Sequence, residues 1–463
     1  MRITAYTSCI FRSISTQLQE LAQSRKTPAP QAKDLNPAKW RKIDPKKEAF
    51  VFDERKMPSN TILFNTRNVD SVELFTTFYD EELLQEVWDA GNSGGSNVWT
   101  RHGGDKRINS GECDFGMLYR VLAVKIFIQG QTVIPYDVLE TGRPLREMIK
   151  RAKDRYPLAP GIETIERILS HLLLTSDHTD HLSRNFRSFV KCVGESVACD
   201  EKLFYFTGNS GNFRLVISKP KKKGIWFYQQ IGTTPNGKSY LLDLDLWEVL
   251  KEYGQVEHVT NVVKDWCDNI VQMSEGKLPV LAFDSYYASK PALDHLQEHG
   301  FRFVGSVGLN CFEPLQYKVR HHVTKPGQWA GLYSEEEKML YVLYWDRDEQ
   351  IGKKQVLTTA YKHYPGYLQQ KQLIPGYDLY KLLFAACDHY NQQLDGHTWP
   401  FKHGGHGRLG DLGAEDDFAF SCLLQNVYNA VWAINKLGDN MMKFKPFCEE
   451  LADGVYSYAA GYD

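Results

Sequence analysis

LPVLAFDSYYAS, residues 278–289, places a carboxylate at the end of an apolar run. The apolar residues 278–283 predict a strand that is buried on both faces, as strands are in parallel and mixed sheets. Asp284 follows where this strand leaves the core, and a helical pattern comes after it. Removing a bare carboxylate from water is costly. We therefore expect Asp284 to meet a cation there or, alternatively, to form a turn or a helix cap.

The segments around this strand have the order of a ribonuclease-H-like α/β fold. Three strands with an antiparallel pattern are predicted before it, over 196–206, 224–232 and 239–247. The other predicted segments are a helix over 257–273, a helix over 287–300, a strand over 301–308 and a late helix over 376–396. This order predicts a mixed sheet with flanking helices. Short strands expected before the late helix form a β-rich insertion.

Patterning along the chain predicts six regions. Residues 1–65 are rich in Pro, Lys and Arg and predict a disordered basic segment. Residues 66–190 have the apolar period of packed helices and predict an N-terminal helical domain. The other regions are the first part of the sheet-containing core over 191–310, the β-rich insertion over 311–372, the second part of the core over 373–440 and a C-terminal tail over 441–463.

Three acidic residues lie far apart in the sequence, on elements that this fold brings to one end of the sheet. Asp200 is on the first strand, Asp284 ends the fourth, and Asp388 is on the late helix. Mg²⁺ prefers oxygen ligands and keeps several waters. Two such ions can hold the attacking and leaving oxygens of a phosphodiester. The pattern predicts a two-metal site, although each acid taken alone also fits a turn or surface role.

Composition limits the classes of protein. The chain has 463 residues, with 55 Lys and Arg against 57 Asp and Glu, so it lacks the basic excess of most phosphate-tracking proteins. A local patch is still compatible with nucleic-acid binding, because the distribution of charge decides. The nine cysteines form no Cys-x-x-Cys pair, which predicts reduced thiols and no structural zinc site. No apolar run is long enough to predict a membrane span.

Several segments together resemble the piggyBac transposases and the proteins derived from piggyBac elements. These segments are ACDEKLFYFTGNSG over 198–211, KPKKKGIWFY over 219–228, SYLLDLDLW over 239–247, LAFDSYYASKPALDHLQEHGFRFVGSVGLN over 281–310, CDHYNQQ over 387–393 followed by Trp399 and Pro400, and QNVYNAVWAIN over 425–435. The resemblance covers roughly residues 70–437. It depends on the order and spacing of the segments rather than on any one of them.

The resemblance implies a DDE-type transposase with a ribonuclease-H-like catalytic core. It implies that Asp200, Asp284 and Asp388 are the catalytic acids and bind two Mg²⁺ ions, for which Mn²⁺ can substitute. The implied reaction nicks a transposon end, forms and opens a hairpin, and joins the freed 3′-hydroxyl to a TTAA target. It further implies double-stranded DNA as the partner, a homodimer, a nuclear location, and a dimerisation or DNA-binding role for the helical domain over 66–190.

The chain departs from the family at two places. A fourth acid is frequent three residues after the third, and Asn391 stands there, offering a metal an oxygen without charge. Asp395 lies on roughly the same helix face and is an alternative ligand. The Cys/His-rich zinc domain that usually recognises transposon ends is not expected in the tail over 441–463. A non-enzymatic DNA- or chromatin-binding protein derived from a transposase is therefore the alternative function, and a nuclease acting on RNA or a hybrid is a third.

A basic cluster precedes the second predicted strand. It consists of Lys219, Lys221, Lys222 and Lys223. These side chains are predicted to contact DNA phosphates or to act as a nuclear signal. A solvated strand end explains them equally well.

Overall fold

The computed structural model describes most of the chain as two compact units. The described residues are 37–44, 48–51, 62–93, 114–131, 144–205, 214–215, 223–234, 237–246, 256–274, 278–308, 312–348, 352–365, 376–395, 410–437 and 441–462. The first unit comprises Met1–Asp53, Lys251–Asp268 and Phe283–Tyr380, and the second comprises Glu54–Leu250, Asn269–Ala282 and Lys381–Asp463.

The chain contains both helices and strands, in the mixed order of an α/β protein. The strands are β1 Arg41–Lys42, β2 Glu48–Val51, β3 Leu63–Phe64, β4 Val190–Cys192, β5 Ser196–Tyr205, β6 Arg214–Leu215, β7 Lys223–Thr233, β8 Ser239–Leu246, β9 Val280–Phe283, β10 Arg302–Val307, β11 Trp329–Ser334, β12 Met339–Trp345, β13 Lys353–Thr358 and β14 Lys362–Pro365. The helices are α1 Ser71–Phe78, α2 Glu81–Ser93, α3 Phe115–Gln129, α4 Pro144–Arg155, α5 Ile162–Leu169, α6 Ser176–Ser188, α7 Val256–Met273, α8 Lys290–Glu298, α9 Glu313–Val319, α10 Tyr377–Asp395, α11 Gly410–Ile434 and α12 Phe444–Tyr458. The α/β class predicted from the sequence is confirmed.

The second unit contains the first four of the five strands that the sequence predicts for the core, and the fifth, β10, belongs to the first unit. The hydrogen-bonded order in the second unit is β9-β5-β7-β6, and β8 also pairs with β7. β7 is antiparallel to both β5 and β8. The first four strands of the predicted core therefore lie in the order third, second, first, fourth. All four residues of β9 are buried, as the continuous apolar run predicts for a central strand.

The sheet of the first unit is built from antiparallel pairs. Strands β1, β11, β12, β13 and β10 pair in that order, and β2 pairs separately with β14. The boundary between the units falls after Ala282, so Phe283, the last residue of β9, belongs to this unit. Its ring packs 5.8 Å from that of Phe303 and over Gly305, where an added Cβ would come within 2.4 Å of it.

Two strands that lie within residues 1–65 pair with distant parts of the chain. Arg41 and Lys42 form β1 and pair with β11, while Glu48–Val51 pairs with β14. The Lys- and Arg-rich composition of this region predicts disorder, whereas these two segments pair with strands that follow roughly 300 residues later. Such long-range pairing leaves no local periodicity for a sequence window to detect.

The predicted C-terminal tail also contains a helix with a buried face. α12 buries Phe447, Cys448, Leu451 and Val455. Its Cys448 Cβ lies so close to Gly130, at the end of α3, that an added Cβ at Gly130 would come within 2.3 Å of it. α12 is therefore part of the core of the second unit. None of the helices in the described ranges combines the length and the apolar composition needed to cross a bilayer.

Candidate metal centre

Strand β5 carries two consecutive acidic residues. Asp200 lies directly opposite Gln229 of β7, and Glu201 lies opposite Tyr228. Directly opposed residues of an antiparallel pair point to the same face of the sheet, so Gln229 accompanies Asp200. Glu201 is buried despite its charge. A buried carboxylate requires a compensating partner, because its desolvation is costly.

Asp284 reaches the same place through strand β9. Val280 N donates a 2.7 Å hydrogen bond to Glu195 O, which holds the start of β9 beside the chain that enters β5. One side-chain oxygen of Asp284 accepts a 2.7 Å hydrogen bond from Tyr286 N. The turn role considered from the sequence is therefore present, and it fixes the carboxylate where the strand ends.

The two strands bring three carboxylates together. Asp200, Glu201 and Asp284 each offer an oxygen, and these oxygens lie within 4.8 Å of one another. Such a set consists only of hard oxygen donors, which suits Mg²⁺ or Mn²⁺ rather than a soft metal. The sequence predicted the meeting of Asp200 with Asp284 but overlooked Glu201, because alternation along a strand should turn it to the opposite face.

Helix α10 crosses β5 on the face that carries Asp200. Lys202 is two residues from Asp200 and so shares its face. Its Nζ donates to Asn391 O at 3.3 Å and to Asp395 Oδ1 at 3.0 Å. Asp388 lies about one helical turn before Asn391 on the same helix. Asp395, considered as a substitute ligand, is instead the ion-pair partner of Lys202.

Asp388 does not belong to the group of three carboxylates whose oxygens lie within 4.8 Å of one another. It is nevertheless near them. Burial is the main reason that the pKa of the neighbouring Cys387 thiol is raised, and the charges of Asp200, Asp388 and Glu201 add to it. Asp388 itself is exposed to solvent, but partial desolvation by the residues packed around it raises its pKa, against the opposing effect of His389. The role of Asp388 as a third ligand stays a prediction.

Two amide side chains near the acids have unsatisfied polar atoms. Asn391 Oδ1 is buried and accepts no hydrogen bond from any described residue. Gln229, opposite Asp200, is fully buried, and neither its Oε1 nor its Nε2 has a partner within the described part of the chain. Buried polar groups without partners are uncommon in folded proteins. Oxygen atoms of this kind beside three carboxylates fit a centre that holds hydrated divalent ions.

The predicted basic cluster falls mostly outside the described residues. Lys219, Lys221 and Lys222 lie outside the described residues, and Lys223 begins β7 opposite Leu215.

Gln229 was also overlooked in the sequence. Its signal is two consecutive glutamines inside an otherwise apolar strand, a pattern that buries at least one polar side chain in a sheet covered on both faces.

Comparison with known proteins finds a likeness in fold but none in sequence. No family model matches the sequence, and no curated protein matches it significantly. The fold is similar to that of piggyBac transposase in a cryo-EM structure of its synaptic complex with hairpin DNA. The TM-score is 0.59 at 13% sequence identity, and the match covers 85% of this chain and 81% of that chain. The structural likeness is to the family that the sequence segments resemble.

Proposed function

We propose that this chain is a transposase-derived enzyme that cleaves and joins DNA strands by metal-dependent phosphodiester chemistry. The observation that carries the proposal is the meeting of Asp200 and Glu201, in the middle of β5, with Asp284, which follows the end of β9, within 4.8 Å. The similarity in fold to piggyBac transposase and the third-second-first-fourth strand order support a ribonuclease-H-like core around these residues.

The chain's own residues would hold the divalent cations and orient the reacting phosphodiester. Asp200, Glu201 and Asp284 would bind divalent cations. Asp388 and the side-chain Oδ1 of Asn391 would complete the ligand set from α10. Bound Mg²⁺ or Mn²⁺ supplies charge neutralisation for a phosphodiester displacement. Gln229 would offer its side-chain amide to the site from within the sheet. Positioning and electrostatics suffice for such a reaction, and a covalent protein nucleophile is not needed.

The finer parts of the proposal come from the family resemblance. They are cleavage through a hairpin intermediate, joining at TTAA sites, action as a homodimer on double-stranded DNA, and a nuclear location. The neighbour's complex with hairpin DNA supports the hairpin and the DNA partner for this chain by analogy of fold.

In the experiment, the purified chain is incubated with DNA hairpins and with TTAA-flanked duplexes in the presence of Mg²⁺ or Mn²⁺. We expect cleavage that Asp284→Asn abolishes. Asp294→Asn is the matched control, because it makes the same change on the following helix, where Asp294 pairs with Lys290. If both variants lose cleavage equally, or if Asp284→Asn still cleaves, the three acids Asp200, Glu201 and Asp284 do not take part in the mechanism.

A non-enzymatic DNA-binding protein on the same scaffold is the second candidate. Two observations favour it: Asn391 stands where a fourth acid is frequent in the family, and Asp388 lies outside the close carboxylate group. Both reduce the charge available to a second cation. Duplex binding without cleavage under Mg²⁺ or Mn²⁺ would support this candidate over the enzyme.

A further inference from the structure

The first unit carries a compact group of exposed cations. Helix α9 ends at Val319, and a 3₁₀ turn over Arg320–His322 follows it. Arg320, His321 and His322 are all exposed, and so is Lys42 of β1. We call these four residues the basic turn.

The fold holds the basic turn in place from both sides. Lys318, just before it, donates through Nζ to Trp40 O at 3.0 Å and also to Pro37 O. β1 then pairs with β11, with Lys42 opposite Leu332. These contacts join a segment near residue 40 to one near residue 320, so the cations are gathered by tertiary structure rather than by a charged stretch of sequence.

The side chains of the basic turn are packed closely, and Lys42 Nζ donates to a ring nitrogen of His322. Lys42 Nζ lies 2.8 Å from His322 Nε2, and the rings of His321 and His322 are 4.0 Å apart. The pKa of His322 is lowered by burial first, and then by His321 and Lys42. Over the described residues, none of the four has a carboxylate within ion-pair distance. A preorganised set of cations without acidic partners is a site for an anion.

Arg320 is also preorganised. Its guanidinium lies 4.0 Å over the ring of Tyr317, which is 50% exposed. Stacking on an aromatic ring limits the rotamers of an arginine while leaving its donors free for a planar, charged acceptor. Phosphate is such an acceptor, and arginine binds it through two parallel hydrogen bonds.

We propose that the basic turn binds the phosphate backbone of a DNA duplex. The choice of DNA depends on the proposed function, whereas the choice of phosphate depends on the cations themselves. Lys42 and Arg320 contact phosphates, and the rings of His321 and His322 each add an N–H donor. The near-neutral whole chain thus binds a polyanion through a local surface in the β-rich part of the first unit.

The test measures binding of the full chain to a short duplex in EDTA, by fluorescence anisotropy. Each neutralised phosphate contributes about 0.9 to the slope of log affinity against log salt. Replacing Lys42 and Arg320 together by Ala should lower that slope by about 2, so the loss of affinity between about 50 and 200 mM salt becomes about tenfold smaller. The control removes Lys338 and Lys354, two exposed lysines of the same unit, and should leave the slope unchanged.

A second variant changes the sign of the surface without removing Lys42 or Arg320. His322→Glu would place a carboxylate beside Lys42 and should reduce duplex affinity as the double replacement does. An unchanged slope in the double variant, an equal reduction in the control, or a tenfold preference for RNA or heparin over duplex DNA would overturn the proposal.

EDTA separates this test from that of the proposed function. If the double variant has a reduced slope but the parent shows no metal-dependent cleavage, the basic turn is a DNA-binding surface and the proposed enzymatic activity is rejected. Cleavage by a protein whose slope does not respond to the double replacement would reject the surface and keep the enzyme.

Discussion

Lys202 of strand β5 forms a 3.0 Å ion pair with Asp395 in the last turn of helix α10. The same Nζ donates to the backbone oxygen of Asn391. Because Lys202 and Asp200 share a face of β5, this contact fixes which part of α10 lies over the acidic end of the sheet. It explains how a helix almost 190 residues away in sequence brings Asn391 towards the carboxylates.

Glu201 is predicted to be a metal ligand. Replacing Glu201 by Gln keeps the shape of the side chain but removes the charge, so Mn²⁺ affinity should fall about tenfold or more, the effect expected for residues that support a metal site. Titration of Mn²⁺ by electron paramagnetic resonance measures it. Glu298→Gln, at an exposed position of α8, is the control. Unchanged affinity in Glu201→Gln, alongside a loss in Asp284→Asn, would show that Glu201 is structural.

Asn391→Asp is predicted to strengthen metal binding at a cost in the metal-free state. Asn391 Oδ1 is a buried acceptor without a donor among the described residues, so a carboxylate there adds an unpaired buried charge. We expect a lower melting temperature than the parent in EDTA. Mn²⁺ should reverse this, because a tenfold gain in affinity adds about 1.4 kcal/mol to metal-induced stabilisation. Equal stabilisation of parent and variant by Mn²⁺ would place Asn391 outside the metal site.

The fold of the core was accessible from the sequence because its strands have strong local signals. The apolar run of β9 predicts a central strand, and the structure buries all four of its residues. The alternating pattern around Asp200 likewise predicts β5. These signals depend on the residues of a single segment and on the faces that a sheet buries.

The parts that could not be predicted depend on contacts between distant segments. β1 is ordered only by its pairing with β11, and its own two residues are Arg and Lys. The place of Glu201 beside Asp284 depends on the local twist and side-chain conformations where β9 ends beside the middle of β5, which no periodicity records. Sequence reasoning therefore found two of the three grouped acids and overlooked the one that alternation turns away.

The buried pair between Lys125 and Asp416 is predicted to be important for the stability of the second unit. Lys125 Nζ lies 2.6 Å from Asp416 Oδ1, and both side chains are almost fully buried. Asp416 Oδ1 also accepts from Leu174 N at 3.0 Å. Lys125→Met leaves a buried carboxylate without its cation, so the free energy of unfolding should fall by about 3–5 kcal/mol.

A double-mutant cycle in urea checks this prediction. Asp416→Asn combined with Lys125→Met should be less destabilising than the sum of the two single changes, because the second change removes the uncompensated charge. Strict additivity would mean that the ion pair makes no net contribution, and that the cost arises only from packing around α3.

Acid sensitivity of the second unit is predicted from its buried histidines. Burial lowers the pKa of His171, although the hydrogen bond from its Nδ1 to Gly91 O at 3.0 Å acts in the opposite direction. Burial likewise lowers the pKa of His178. A histidine in the unfolded chain gains its proton near pH 6.5, before either buried ring does. The unfolded state then binds more protons, so stability is present above about pH 6.5 and is lost as pH falls towards the folded pKa values.

His171→Asn tests this assignment, because an asparagine amide can still donate to Gly91 O but does not titrate. The slope of unfolding free energy against pH below about pH 6.5 should decrease by up to about 1.4 kcal/mol per pH unit, the limit for one group. Urea denaturation at a series of pH values measures it. His389→Asn, at an exposed position of α10, should leave the slope as in the parent. A parent whose stability does not change from pH 7 to pH 5 would contradict the prediction, since two neutral buried rings must then gain protons without cost.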